Sequence, residues 1–175
     1  MRIKSLFVGL AAALIATASF AGRGSDGNVS IIYWQAPSIL NPYLSGGTKD
    51  IESSSMIIEP LARYNETGAL VPFLAEEIPT VANGGVSADL KSITWKLKSG
   101  LKWSDGSAVT SADVKFTGEY CMDPDGGCAQ LEKFDGVTDI ATPDDRTIVV
   151  SFSASKPNPY GCLLYTSPSP RDSSP

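Results

Sequence analysis

The densest chemistry in the chain is Cys121-Met122-Asp123-Pro124-Asp125-Gly126-Gly127-Cys128, two thiols bracketing two carboxylates. In an oxidising compartment the cysteines can close a short disulfide ring, with Pro124, Gly126 and Gly127 supplying the turn. The competing reading makes Asp123 and Asp125 cation ligands. Two carboxylates fall short of the about six to eight oxygens that calcium takes, and their spacing is not that of an EF-hand loop. A structural staple is therefore expected, with no metal and no other cofactor. A second constellation is the carboxylate pair Glu76 and Asp105, which would suit the acid–base work of a secreted hydrolase. Sequence spacing does not set the distance between two carboxylates, and Asp105-Gly106 has a ready explanation as a turn. The 175 residues contain no histidine, which removes Ser-His-Asp and Cys-His catalysis and any His-ligated metal site from this stretch.

Composition narrows the partners. Fourteen Lys and Arg against nineteen Asp and Glu give a net charge of −5, and the basic residues are scattered. Nucleic-acid binding needs clustered cations to displace counterions from phosphates, so no nucleic-acid partner is expected. With 42% hydrophobic residues and only 19% charged, the chain has material for a core and is not a disordered acid.

Both ends are expected to stand outside the folded body. Met1-Arg2-Ile3-Lys4 is basic, Leu6 to Ala18 is apolar, and Ser19-Phe20-Ala21 places small residues where a signal peptidase reads, so residues 1–21 read as a secretory signal cut after Ala21. The apolar run is shorter than the roughly 20 residues needed to span a bilayer, and no later segment approaches that length. No cysteine follows the run to carry a lipid anchor. At the other end, Cys162-Leu163-Leu164-Tyr165-Thr166-Ser167-Pro168-Ser169-Pro170-Arg171-Asp172 resembles the in-frame translation of a tagmentation adapter, so residues 162–175 are expected to be foreign. Setting the ends aside removes three basic residues (Arg2, Lys4, Arg171) and one acidic residue (Asp172), which leaves residues 22–161 more acidic still. It also leaves Cys121 and Cys128 as a pair, without the odd thiol of Cys162.

The elements that must position these residues form a mixed α/β pattern without internal repeats. Val29 to Trp34 reads as a largely buried strand leading into the loop Ala36-Pro37 to Gly46-Gly47. A helix is expected next, with Thr48 as N-cap, Asp50 and Glu52 in its first turn, Ile51, Ser55 and Ile58 on one face, and Pro60 as its end. Leu61 to Tyr64 and Ala69 to Phe73 read as a hairpin around Asn65-Glu66-Thr67-Gly68, and Ala82-Asn83-Gly84-Gly85 as a loop. Ile93, Trp95 and Leu97 alternate with Thr94, Lys96 and Lys98, the period of a strand with one wet face. Leu101-Lys102-Trp103 continues it, Ser104 to Ser107 turns the chain, and both Trp95 and Trp103 are assigned to the core. Thr110-Ser111-Ala112-Asp113 has the form of a capping box, opening a helix with Val114, Thr117 and Cys121 on one face. Val137 to Ala141 and Thr147 to Phe152 read as two further strands.

The segment Thr94-Trp95-Lys96-Leu97-Lys98-Ser99-Gly100-Leu101-Lys102-Trp103-Ser104-Asp105-Gly106, followed by Val109-Thr110-Ser111-Ala112-Asp113-Val114-Lys115-Phe116, resembles the signature of family 5 extracellular solute-binding proteins, the peptide- and oligopeptide-binding components of ABC importers. Leu40-Asn41-Pro42, Glu59-Pro60-Leu61-Ala62 and Leu70-Val71-Pro72-Phe73-Leu74-Ala75-Glu76 fit the same pattern in order and spacing. The resemblance covers Ser30 to Gly161, with Thr110-Ser111-Ala112-Asp113-Val114 standing where the family often has Thr-Ala-Glu-Asp-Val.

The resemblance implies a periplasmic-binding-protein-like α/β fold of two lobes, of which residues 22–161 would be the N-terminal part of the first lobe with its attached subdomain. The lobes of such proteins close on a ligand by hinge motion and present it to a membrane permease. It further implies a peptide or other small solute as ligand, with oligosaccharides and metal chelates as family variants, an extracytoplasmic or periplasmic location, no enzymatic activity, and a monomer at full length. In peptide-binding relatives the carboxylate that meets the peptide's amino terminus comes from the other lobe, so no residue here takes that role. By resemblance, Trp34, Gln35, Ala36 and Pro37, with the segment to Tyr43, lie near the cleft, at the carboxyl end of the first strand. Trp34 and Tyr43 are the aromatics that could pack on a ligand. The alternative assigns Trp34 to the core and Asn41-Pro42 to a turn. A first lobe by itself is also expected to expose apolar surface and aggregate.

Overall fold

The computed structural model describes residues 27–28, 30 and 32–163. The chain divides into two units, Met1–Tyr33 and Trp34–Pro175. The expected signal segment and the tail beyond Leu163 lie outside the described residues, as do Val29 and Ile31 of the expected first strand.

A three-stranded antiparallel sheet forms the body of the second unit. Strands β3 (Ser92–Lys96), β4 (Val137–Asp144) and β5 (Thr147–Phe152) are arranged in the order β3-β5-β4. The register sets Ile93 opposite Val150 and Trp95 opposite Ile148, with Ile140 also opposite Val150. Because side chains alternate across a strand, this register gathers Ile93, Trp95, Ile140, Ile148, Val150 and Phe152 into one buried set. Lys96 and Thr94 take the alternate positions, as the sequence period requires.

Helix α2 (Ser111–Met122) covers this sheet with a face of Ser111, Val114, Thr117, Gly118 and Cys121. Its start is fixed by the expected capping box: Asp113 Oδ2 accepts from the Thr110 amide at 2.8 Å. Helix and sheet approach so closely at Gly118 that a Cβ there would collide with Ile140 Cδ1. A 3-10 turn at Leu131–Phe134 then adds Phe134 to the core.

Around this body lie a short helix and a hairpin. Strands β1 (Ala62–Tyr64) and β2 (Leu70–Pro72) pair antiparallel about the Asn65–Gly68 turn. Asn65 Oδ1 accepts from the amides of Thr67 and Ala69, and Gly68 sits at φ +79°, a conformation costly for residues with a Cβ. The loop at Asn83 is held the same way, its Oδ1 accepting from the amides of Thr80 and Gly85.

Several expectations are corrected. Residues 32–34 form no strand, and Ile32 and Trp34 are 98% and 75% exposed. An apolar run becomes a strand only where a neighbour supplies its ladder bonds, and no described strand pairs with it. Helix α1 is shorter than expected, Thr48–Ser54, with Gly47 rather than Thr48 as N-cap. Its buried face is not Ile51, Ser55 and Ile58 but the polar set Lys49, Asp50, Ser53 and Ser54. Trp95 is fully buried, whereas Trp103 is half-buried against a surface cavity. Apart from these corrections, Cys162 is buried within a 3-10 turn, Gly161–Leu163, at the end of the described residues.

Candidate functional site

The loop from Trp34 to Gly47 brings some of the expected site residues together and separates one. Trp34, Gln35 and Ala36 are exposed, side by side ahead of Pro37. Tyr43 is not with them: it is 2% exposed and belongs to the core. The chain turns inward there because Asn41 Oδ1 accepts from the Tyr43 amide at 2.9 Å and Asn41 O from the Leu44 amide at 3.2 Å.

The loop is fastened from two sides. From α1, Asp50 Oδ1 accepts from the Ser38 amide at 2.6 Å, and Oδ2 accepts from the Ser45 hydroxyl at 2.7 Å. Lys49 Nζ donates to Asp50 Oδ1 at 2.8 Å and to Ser38 Oγ at 2.6 Å. The Lys49 ammonium first, then the Ser45 hydroxyl and Ser38 amide, hold the Asp50 carboxyl well below the usual carboxylate range, against the opposing effect of burial. From the far side, the Ala129 amide donates to Tyr43 O at 2.7 Å, and Gln130 Nε2 reaches Pro42 O and Ser45 O, each at 3.4 Å. Ala129 follows Cys128, which is bonded to Cys121 at the end of α2, so the disulfide ties this second fastening to the helix.

Next to the loop is an apolar cavity of about 580 Å³, lined among others by Leu40, Met56, Ile57, Trp103, Val109 and Val114. Met56 and Ile57 are 56% and 64% exposed, so this is open apolar surface rather than core. A site of this composition can take up apolar side chains, with Glu59, Lys102 and Asp113 also on its lining.

The carboxylates considered for hydrolysis are committed elsewhere. Glu76 pairs with Arg146 Nη2 through Oε1 and with Lys96 Nζ at 3.5 Å through Oε2, while Arg146 also donates to Leu97 O. Asp105 Oδ1 accepts from both the amide and hydroxyl of Ser107, closing its own turn. Asp123 Oδ1 accepts from the Asp125 amide, again a turn. Among the described residues, no three His, Cys, Asp or Glu side chains gather as a metal site would need, and no helix is long and apolar enough to cross a membrane.

Sequence reasoning missed the Lys49–Asp50 pair, having assigned Asp50 only to the first turn of a helix. The available signal was weak: a Lys-Asp pair following a loop with serines on both sides of Asn41-Pro42.

The chain is also similar to known proteins. The model for bacterial extracellular solute-binding proteins, family 5 Middle, matches residues 69–174. A Sinorhizobium fredii protein named as a probable peptide ABC transporter periplasmic-binding protein, y4tO, is 38% identical over 84 residues, 47% of this chain and 14% of its own. The oligopeptide-binding protein OppA of Bacillus subtilis is 26% identical over 121 residues, 63% of this chain and 21% of its own. Among solved structures, AgaA of A. tumefaciens R10, in complex with agropinic acid, aligns with a TM-score of 0.66 at 31% identity, over 75% of this chain and 26% of that one. Haemophilus influenzae OppA in complex with the peptide RPPGFSPFR aligns with a TM-score of 0.63 at 24% identity, over 76% and 29%. The chain thus spans between about a seventh and a third of the length of these relatives, and its fold is the corresponding part of the two-lobed periplasmic-binding-protein architecture. It belongs to family 5 of the bacterial extracellular solute-binding proteins.

Proposed function

We propose that this chain is part of an extracytoplasmic substrate-binding protein of an ABC importer, which captures peptides in a cleft between two lobes and delivers them to a membrane permease without chemical change. The observation that carries this reading is family membership, joined to relatives that are named for peptide or oligopeptide binding. The exposed face of Trp34, Gln35 and Ala36 supports it from the structure. An indole left three-quarters in water is unusual on a surface without a partner, and an indole can pack on a peptide side chain while its N–H bonds a carbonyl. Tyr43, buried in the core, serves as packing. Residues 1–21 act as a secretory signal, the full-length protein works as a monomer, and no cofactor takes part.

A second reading of the ligand has its own support: AgaA, 31% identical, holds agropinic acid rather than a peptide. The test is titration calorimetry on the protein of the complete reading frame, with a defined tripeptide mixture and agropinic acid as separate probes. Heat from the tripeptides with the peptides recovered unchanged supports the proposal. Binding of agropinic acid alone moves the ligand to the second reading, and peptide cleavage overturns the receptor reading itself.

A further inference from the structure

The Lys49–Asp50 pair is placed unlike an ordinary helix-start carboxylate. Asp50 sits in the first turn of α1, where a carboxylate normally stays near water and meets the helix's own free amides. Here its side chain is 4% exposed and that of Lys49 11%. Two charges so far removed from water are retained only when their hydrogen bonds are filled. They are filled largely by the loop: the Ser38 amide, the Ser45 hydroxyl and, at 3.5 Å, the Ile39 amide bond Asp50, while Lys49 bonds Ser38 Oγ. The carboxylate therefore holds both ends of the segment Ser38–Ser45. The first of its partners is two residues beyond Ala36, so the same bonds fix where the chain leaves the exposed face of Trp34, Gln35 and Ala36.

We infer that Asp50, with Lys49 as its counter-charge, is a positioning residue for ligand binding: it sets the conformation in which the 34–36 face is presented. This rests on the reading that the face meets the ligand. No contact between Asp50 and ligand is involved; its effect passes through the backbone of Ser38 and Ile39. Loops held by polar bonds at a few points open locally, without global unfolding, and the freedom of such a loop lowers affinity by the fraction of time that it is out of place.

Hydrogen exchange in Asp50→Asn, and in Ser45→Ala as a milder variant that keeps the charge pair, tests the clamp. The expected result is faster exchange of the Ser38 and Ile39 amides, about tenfold or more for Asp50→Asn and less for Ser45→Ala, with Trp95, Ile148 and Val150 unchanged. If either folded variant leaves Ser38 and Ile39 as slow as before, the clamp is refuted. Affinity of the full-length protein for the tripeptide mixture is then compared between wild type and Asp50→Asn. Weaker binding, restored in part by Asp50→Glu, supports positioning, whereas unchanged binding beside faster exchange overturns it. If wild type binds neither tripeptides nor agropinic acid, the receptor reading fails instead, and the exchange result still decides the clamp.

Discussion

Replacing Gly118 by Ala tests the packing of α2 on the sheet with unusual sharpness, because two effects of opposite sign act at one atom. Ala is favoured over Gly in a helix interior by about 1 kcal/mol. Against this, the new Cβ would fall on Ile140 Cδ1, with Phe134 Cε1 at 3.6 Å behind it. Ile140 and Phe134 are 2% and 4% exposed, so neither has room to swing away. Overpacking of this kind costs about 1–3 kcal/mol, which outweighs the helix gain. Gly118→Ala is therefore expected to destabilise by up to about 2 kcal/mol, lowering Tm by about 2–4 °C for each kcal/mol in a chain of this size. Ile140→Val deletes the colliding Cδ1 at a cost of about 0.5–1.5 kcal/mol. In that background the methyl introduced by Gly118→Ala fills the space, and the same substitution should stabilise by about 1 kcal/mol. The assay is a double-mutant cycle of urea and thermal melts followed by circular dichroism, read as an interaction energy of about 1–3 kcal/mol between the sites. If Gly118→Ala has the same effect in both backgrounds, α2 does not pack on Ile140 as described and the reasoning fails.

Three further outcomes are expected. Replacing both Cys121 and Cys128 by Ser opens an eight-residue ring, and the chain-entropy relation puts the loss at about 2.5 kcal/mol, checked by melting with and without the bond. Asp50, Asp89 and Asp144 are all depressed, by the Lys49 ammonium, the Ser87 hydroxyl and the Arg146 amide in first place respectively. A depressed carboxylate stabilises the fold above its unfolded pKa of about 4 and stops doing so as pH falls through its folded value, so stability should drop below about pH 4, and Asp50→Asn should make that drop shallower without abolishing it. Met56→Gln and Ile57→Lys remove exposed apolar surface beside the cavity, so they should change stability by no more than about 0.5 kcal/mol while reducing self-association in sedimentation velocity.

What was legible in the sequence is what period and local chemistry determine. Ile93-Thr94-Trp95-Lys96-Leu97 reads as a strand because burial on one face imposes a period of two, and all three apolar members are fully buried. Thr110 and Asp113 announce a helix start because the capping box is built from side chains three residues apart. Asn65 and Gly68 announce their turn for a similarly local reason. The failures share the opposite property. Ile32 to Trp34 end a run with the composition of a strand but form none, because strand formation depends on a partner that composition does not contain. Trp103 resembles Trp95 in its Lys neighbours, yet it lies where the chain has turned away from the sheet and borders a cavity. In α1 the apolar period pointed to Ile51 and Ile58, while the burial falls on Lys49, Asp50, Ser53 and Ser54, since what α1 faces is a polar loop.

That last failure separates two kinds of stability in the molecule. The sheet and α2 are held by apolar burial, which spreads over many contacts and melts as a unit. At the other end of the loop from Tyr43, which is anchored in the core, Ser38 and Ile39 are held by directed bonds from Asp50 and Lys49, so the order of that end is a local equilibrium. A Cβ at Gly118 would meet Ile140 and Phe134, neither of which bonds the Asp50 carboxylate. Gly118→Ala should accordingly lower Tm and leave the ratio of Ser38 to Val150 exchange unchanged under strongly native conditions. Asp50→Asn should raise that ratio with a smaller effect on Tm, and the two effects should add within about 0.5 kcal/mol. Strong coupling between them would mean that loop and core open together, in which case the presentation of Trp34, Gln35 and Ala36 would be governed by the stability of the core and not by the buried pair.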